Sequence, residues 1–295
     1  MPPARARLFV VLATTIAGAG IALPLAWGIH FQAAGLLQAV AGSGLLVCCS
    51  ALALNGSRPV ALSTRRALPA VLATSAANAV TPAGIGGTLL VMRIHRRSGL
   101  SNEQAAAAAA LRTAAGAAVA TCVMAVVAST LGVSVMPSGH TTLWVAAGVA
   151  CLVGLVAVAM PVSRKRVLLS IGRLGSSLWD VVRRPRCVLS LVVGCLGITL
   201  AQLLTLQGAV HAVGGHIPWG ELLVALLGST AARSAFPSPG GVGPVEAALV
   251  GGLTALGLNW ETAATAVAVY RTAGHWLPVV AGLVSIRELR RRELI

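Results

Sequence analysis

The sequence predicts an all-α polytopic membrane protein: two inverted repeats, about six full spans and two re-entrant helical hairpins. Three observations predict it. Apolar types make up 57% of the 295 residues and charged types only 10%, with a mean hydropathy of +0.87. Two long apolar stretches are broken in the middle by proline and glycine. The 22 Lys and Arg residues, against seven acids, fall almost entirely on alternate loops. A typical soluble domain carries roughly 25% charged residues, so the composition excludes an ordinary soluble enzyme.

Six runs read as full spans: Leu8–Trp27, Leu36–Leu54, Gln104–Leu131, Thr142–Val162, Cys187–Val210 and Thr262–Ile286. Each reaches across roughly 30 Å as a helix. The first follows Arg5 and Arg7 and reads as a retained anchor rather than a cleaved signal. Between the second and third runs, Ala67–Met92 is interrupted at residues 81–87. Between the fifth and sixth, Glu221–Leu256 is interrupted at residues 237–244. Proline removes a backbone donor and glycine forms helix poorly, so each stretch becomes two short arms. Such arms suit a hairpin whose irregular tip is shielded inside protein.

The cations fix the orientation. Arg5, Arg7, Arg58, Arg65, Arg66, Arg93, Arg96 and Arg97 precede or follow the early spans; seven more lie in 163–186 and four in the C-terminal tail. With both broken stretches as hairpins, these nineteen fall on one face and the opposite loops hold none. The positive-inside rule then places both termini in the cytoplasm. A pI of 11.6 would suggest nucleic acid in a soluble protein, but here the positive charge reports topology. The 163–186 segment mixes apolar residues with its cations and reads as an interfacial basic helix.

The halves repeat one another. Pro82-Ala83-Gly84-Ile85-Gly86 matches Pro239-Gly240-Gly241-Val242-Gly243 at an offset of 157, and Arg112-Thr113-Ala114 matches Arg271-Thr272-Ala273 at 159. The first repeat covers residues 1–134, with its hairpin near 67–98. The second covers 135–295, with the basic loop 163–186 and a hairpin near 221–257. Opposed repeats with broken helices are a recurring plan of transporters, with the site between them.

Three cations remain inside the membrane, Arg112, Arg233 and Arg271, with one acid, Glu246. A charge there costs at least about 2.5–3.5 kcal/mol, so the surplus requires carbonyls, water or an anion. The hairpin glycines Gly84, Gly86, Gly241 and Gly243 let a ligand approach the backbone, where helix N-termini offer N–H groups. Together these residues are candidates for binding an anionic or phosphate-bearing group. The structural alternatives are that Arg112 and Arg271 snorkel to the interfaces, that Arg233 pairs with Glu246, and that the glycines only allow close packing. His275, one turn after Arg271, either shares its site or serves the core. Six cysteines without a C-x-x-C read as packing residues, and no metal or cofactor motif is present. No catalytic constellation is found, so the chain is not expected to be an enzyme.

The run Ala235 to Glu246, followed by Leu256-Gly257-Leu258 and Tyr270-Arg271, resembles the signature of the lysylphosphatidylglycerol synthase transmembrane-region family, also called flippase-like integral membrane proteins. Asn78 to Arg97 and then Arg112 are similar to the family's other block. The resemblance implies a multi-pass protein of the bacterial plasma membrane that handles lipids. In the multiple peptide resistance factors such a region is linked to flipping aminoacylated phosphatidylglycerol and is fused to a soluble aminoacyl transferase, for which this length leaves no room. The expected function is translocation of an anionic or phosphate-bearing lipid. The alternatives are a non-transporting partner in an envelope lipid or glycan pathway and, less well matched, an enzyme acting on a lipid carrier.

Overall fold

A computed structural model describes residues 31–58, 62–81, 85–131, 183–236, 238 and 240–291. The expected spans Leu8–Trp27 and Thr142–Val162, most of the basic loop, and Pro82, Ala83 and Gly84 lie outside the described residues. Within them the chain is helical throughout, without a strand. The helices are α1 (Ala33–Gly56), α2 (Thr64–Ala79), α3 (Ile85–Arg97), α4 (Asn102–Leu131) and α5 (Pro185–Ala212), followed by α6 (Trp219–Ala235), α7 (Pro244–Ala255), α8 (Trp260–Arg271) and α9 (Leu277–Arg291). Of these, α1, α4 and α5 are long and apolar enough to cross a membrane. The protein is membrane-embedded.

Helices α1 and α5 lie along one another as an antiparallel pair, and their contact is made of small residues. A methyl group on Gly208 would come within 2.5 Å of the Ala39 nitrogen, and one on Gly194 within 2.5 Å of the Ala53 nitrogen. Gly35 meets Ala212 and Gly56 meets Leu191 in the same register. Lipid tails are as apolar as leucine, so helices in a bilayer gain little by burying large side chains. They gain dispersion contacts by bringing backbones close, and glycine permits that.

Two groups of helices flank this pair. On one side α2, α3 and α9 pack on α1 around Leu54, Val71, Ile94 and Leu289. On the other, α6, α7 and α8 pack on α5 around Leu206, Leu222, Leu249 and Val267. Two helices reach across the pair: α4 packs on α5 and α6, and α9 packs on α2, where Gly282 meets the Leu72 carbonyl.

Both broken stretches fold as packed helix pairs, α2 with α3 and α6 with α7. The first break is closed by side chains at the end of α2 and just beyond it. The Gly87 N–H donates to Asn78 Oδ1 at 2.8 Å, and the Gly86 N–H donates to Thr81 Oγ1 at 2.9 Å. From sequence, the N–H groups of this arm are open to a ligand; in the structure two of them are already bonded. Asn78 is thus a cap supplied from the neighbouring arm, and Asn78→Ala is expected to cost about 1 kcal/mol, read as a fall in the unfolding temperature.

The expected final span, Thr262–Ile286, is not a regular α-helix. Between α8 and α9 the residues Thr272–Trp276 form a wider π turn. Pro278 supplies the physical reason: it has no N–H for the Gly274 carbonyl and its ring presses on that turn. Such turns inside α-helices recur at functional sites.

Candidate functional site: a polar cavity around Arg233 and Arg271

The α6–α7 break is built to hold an irregular backbone. Gly240, Gly241 and Gly243 have φ of 64°, 70° and 97°, a region that strains any other residue. Pro244 then opens α7 at a position where its missing N–H costs nothing.

Two charged side chains lock this tip. Glu246 Oε2 accepts the Gly243 N–H at 2.7 Å. Its other oxygen, Oε1, lies 2.6 Å from Arg271 Nε at the end of α8. The Nε–H is not aimed at that oxygen, so the contact is an ion pair rather than a hydrogen bond. Arg271 also donates from Nη2 to the Gly240 carbonyl at 3.0 Å. One buried guanidinium therefore ties the turn to the end of α8. Pairing of Glu246 with Arg233, open from sequence, is not what forms: the acid goes to Arg271.

Arg233, in the last turn of α6, has neither an ion pair nor a hydrogen bond among the described residues. It packs beside the tip, where a side chain on Gly241 would meet its Nε at 3.3 Å. Its guanidinium borders a cavity of about 70 Å³. The polar lining comes from Gln202 and Thr205 on α5, Ser229 and Thr230 on α6, Tyr270 and Arg271 on α8, and His275 on the π turn. The three threonine and serine hydroxyls give their protons to helix carbonyls of their own chain turn. Arg233, Gln202 and Tyr270 remain as donors toward the space. The π turn places His275 against Gly240, with the ring Nε2 buried and unbonded.

The candidate residues from sequence thus separate. Arg233, Arg271, Glu246, Gly241 and Gly243 come together. Gly86 stands in the first break, its N–H bonded to Thr81, and Gly84 lies outside the described residues. Arg112, half-buried on α4, lies within electrostatic reach of other groups: His95 at the end of α3 and Cys195 on α5. The breaks nonetheless approach one another, since Gly240 lies beside the carbonyl of Ala79 at the end of α2.

Sequence did not single out Gln202, Thr205 or Ser229, because polar residues on apolar helices show no facing direction until the helices pack. It also left Arg58 among the loop cations. In the structure Arg58 is 2% exposed. Burial pulls its guanidinium below its ordinary pKa.

Other polar features carry less chemistry. His211 is held by Gln207 at 2.8 Å and Gln38 at 3.3 Å. A wider recess of about 800 Å³ lies at the α3–α4 turn, lined by Arg93, Arg96 and Arg97. These arginines are exposed and already hydrated, so they demand no ligand.

A comparison with curated proteins gives no match. Residues 8–282 match the lysylphosphatidylglycerol synthase TM region family. That match spans both broken stretches and every intramembrane cation, and the chain belongs to this family, whose members are membrane proteins linked to lipid metabolism or flipping.

Proposed function

We propose that the protein is a flippase-like lipid translocase that moves an anionic or phosphate-bearing lipid across the bacterial plasma membrane, without a catalytic step. The carrying observation is the unpaired Arg233. Glu246 is committed to Arg271, so the cavity keeps one positive charge that no acid among the described residues neutralises. A phosphate oxygen meets the fork of Arg donors and the Tyr270 hydroxyl in a way that a neutral group does not.

The arrangement of helices supports the inverted-repeat plan. Each half has a long helix, a broken pair and a closing helix, in the order α1, α2–α3, α4 and again α5, α6–α7, α8–α9. The equivalent helices α1 and α5 run antiparallel, each closing helix crosses to the other half, and the breaks meet. Transport sites lie where such breaks converge. In this reading both breaks are re-entrant hairpins entering from opposite faces, and both termini are cytoplasmic.

The test is translocation of a fluorescent phosphatidylglycerol in proteoliposomes. Arg233→Gln is expected to slow it about tenfold or more, the value of one or two charged hydrogen bonds. Ser285→Ala, at a half-buried position along α9, is expected to behave as wild type. Wild-type vesicles no faster than empty ones would overturn the translocase reading, and an unaffected Arg233→Gln would overturn the site.

A further inference from the structure

We propose that Arg58, His95 and Arg112 form a second anion-binding site, selective for a phosphate group and separate from the Arg233 cavity. Binding there requires no transport, so the inference goes beyond the translocase reading.

Arg58 directly follows α1 and its backbone is pinned. Its N–H donates to the Asn55 carbonyl at 3.3 Å, and its own carbonyl accepts from Cys187 Sγ at 3.3 Å, at the start of α5. The side chain is 2% exposed, and Nε and Nη1 are both sealed from water with no hydrogen-bond partner. A guanidinium on a loop between membrane helices has a free path to solvent. This one is instead turned inward with two donors unfilled.

His95 is on the last turn of α3 and is 0% exposed. It lies within electrostatic reach of both Arg58 and Arg112, with the Ala105 backbone beside it. Neither ring nitrogen makes a well-formed hydrogen bond. Arg112 comes from α4, makes no ion pair among the described residues, and is half-buried, which leaves the cluster an open side. The one other titratable group acting on Arg112 is Cys195. Among the described residues no carboxylate acts on Arg58, His95 or Arg112.

Two guanidiniums and an imidazole without an acid are an expensive thing to bury. In the second half Arg271, the counterpart of Arg112, is neutralised by Glu246. The first half has Leu89 at the position corresponding to Glu246, so no described acid does that work and an anionic ligand would. Phosphate fits the donor set: it offers several oxygens to two forks and a ring N–H, whereas a halide offers one centre. The phosphate is either free or carried by a lipid head group.

The experiment uses the full chain. Inorganic phosphate is titrated onto the detergent-purified protein, followed by its unfolding temperature, with chloride at equal ionic strength as control. In parallel, nanodiscs of phosphatidylglycerol and of phosphatidylcholine are compared by native mass spectrometry for retained lipid. Wild type is expected to be stabilised by phosphate over chloride, or to retain phosphatidylglycerol over phosphatidylcholine. The first outcome identifies free phosphate and the second a lipid head group. Arg58→Gln is expected to weaken that binding about tenfold or more. Should it fail to fold, Arg112→Gln, at the half-buried edge, replaces it. Arg233→Gln removes only the cavity's share of the binding, so the Arg58→Gln loss is expected to recur in full on an Arg233→Gln background, which separates this site from the cavity. Wild type that prefers neither phosphate nor phosphatidylglycerol, or variants that bind as wild type does, would overturn the proposal.

Discussion

Glu246→Gln is expected to destabilise the protein by about 3 kcal/mol, the lower end of the range for removing one partner of a buried ion pair. The lower end applies because the carboxylate is 31% exposed while the arginine is 9% exposed. Two losses combine. Arg271 keeps its charge in a closed setting with only the Gly240 carbonyl left to it. The amide also accepts the Gly243 N–H more weakly than a carboxylate, so the start of α7 loosens. Thermal unfolding in detergent measures the loss. Arg271→Met in the same chain is expected to restore at least half of it, since the penalty lies mainly in an uncompensated charge. A single variant that melts with wild type would show that the clamp contributes nothing.

Gly208→Ala is expected to cost about 1–3 kcal/mol or more, a large effect for one methyl group. The new Cβ would lie 2.5 Å from the Ala39 nitrogen and 2.8 Å from the Gly35 oxygen. Those atoms are backbone and cannot rotate away, so α1 and α5 must separate. Separation along that seam also disturbs Gly35, Gly42, Gly56 and Gly194, which share the contact. Gly44→Ala provides the contrast. Nothing lies within 4 Å of a Cβ there, and alanine is the better helix former by up to about 1 kcal/mol. It is expected to melt at or above the wild-type temperature. Equal stability of the two variants would show that the close approach of α1 and α5 is not what holds them.

The long helices were legible because run length alone decides them. Leu36–Leu54 became Ala33–Gly56, and Cys187–Val210 became Pro185–Ala212. The breaks were legible for a related reason, since proline and glycine act locally. What happens inside the breaks was not. Asn78 and Glu246 are separated from the N–H groups they satisfy by nine and three residues, but only the fold brings Arg271 to Glu246 from 25 positions away. The π turn was hidden because Pro278 reads equally as a kink, and packing decided which distortion formed.

The cations show the division most clearly. Sequence alone determined that the chain is apolar and helical and where its helices break, because these follow from hydropathy and local backbone chemistry. Only the tertiary structure decided which arginine is neutralised. Arg271 takes the one acid, Arg233 keeps its charge beside a cavity, and Arg58 leaves the loop set to turn inward beside His95. The physical reason is that a charge inside a protein is governed by its distance to a partner, and that distance is set by helix packing rather than by position along the chain.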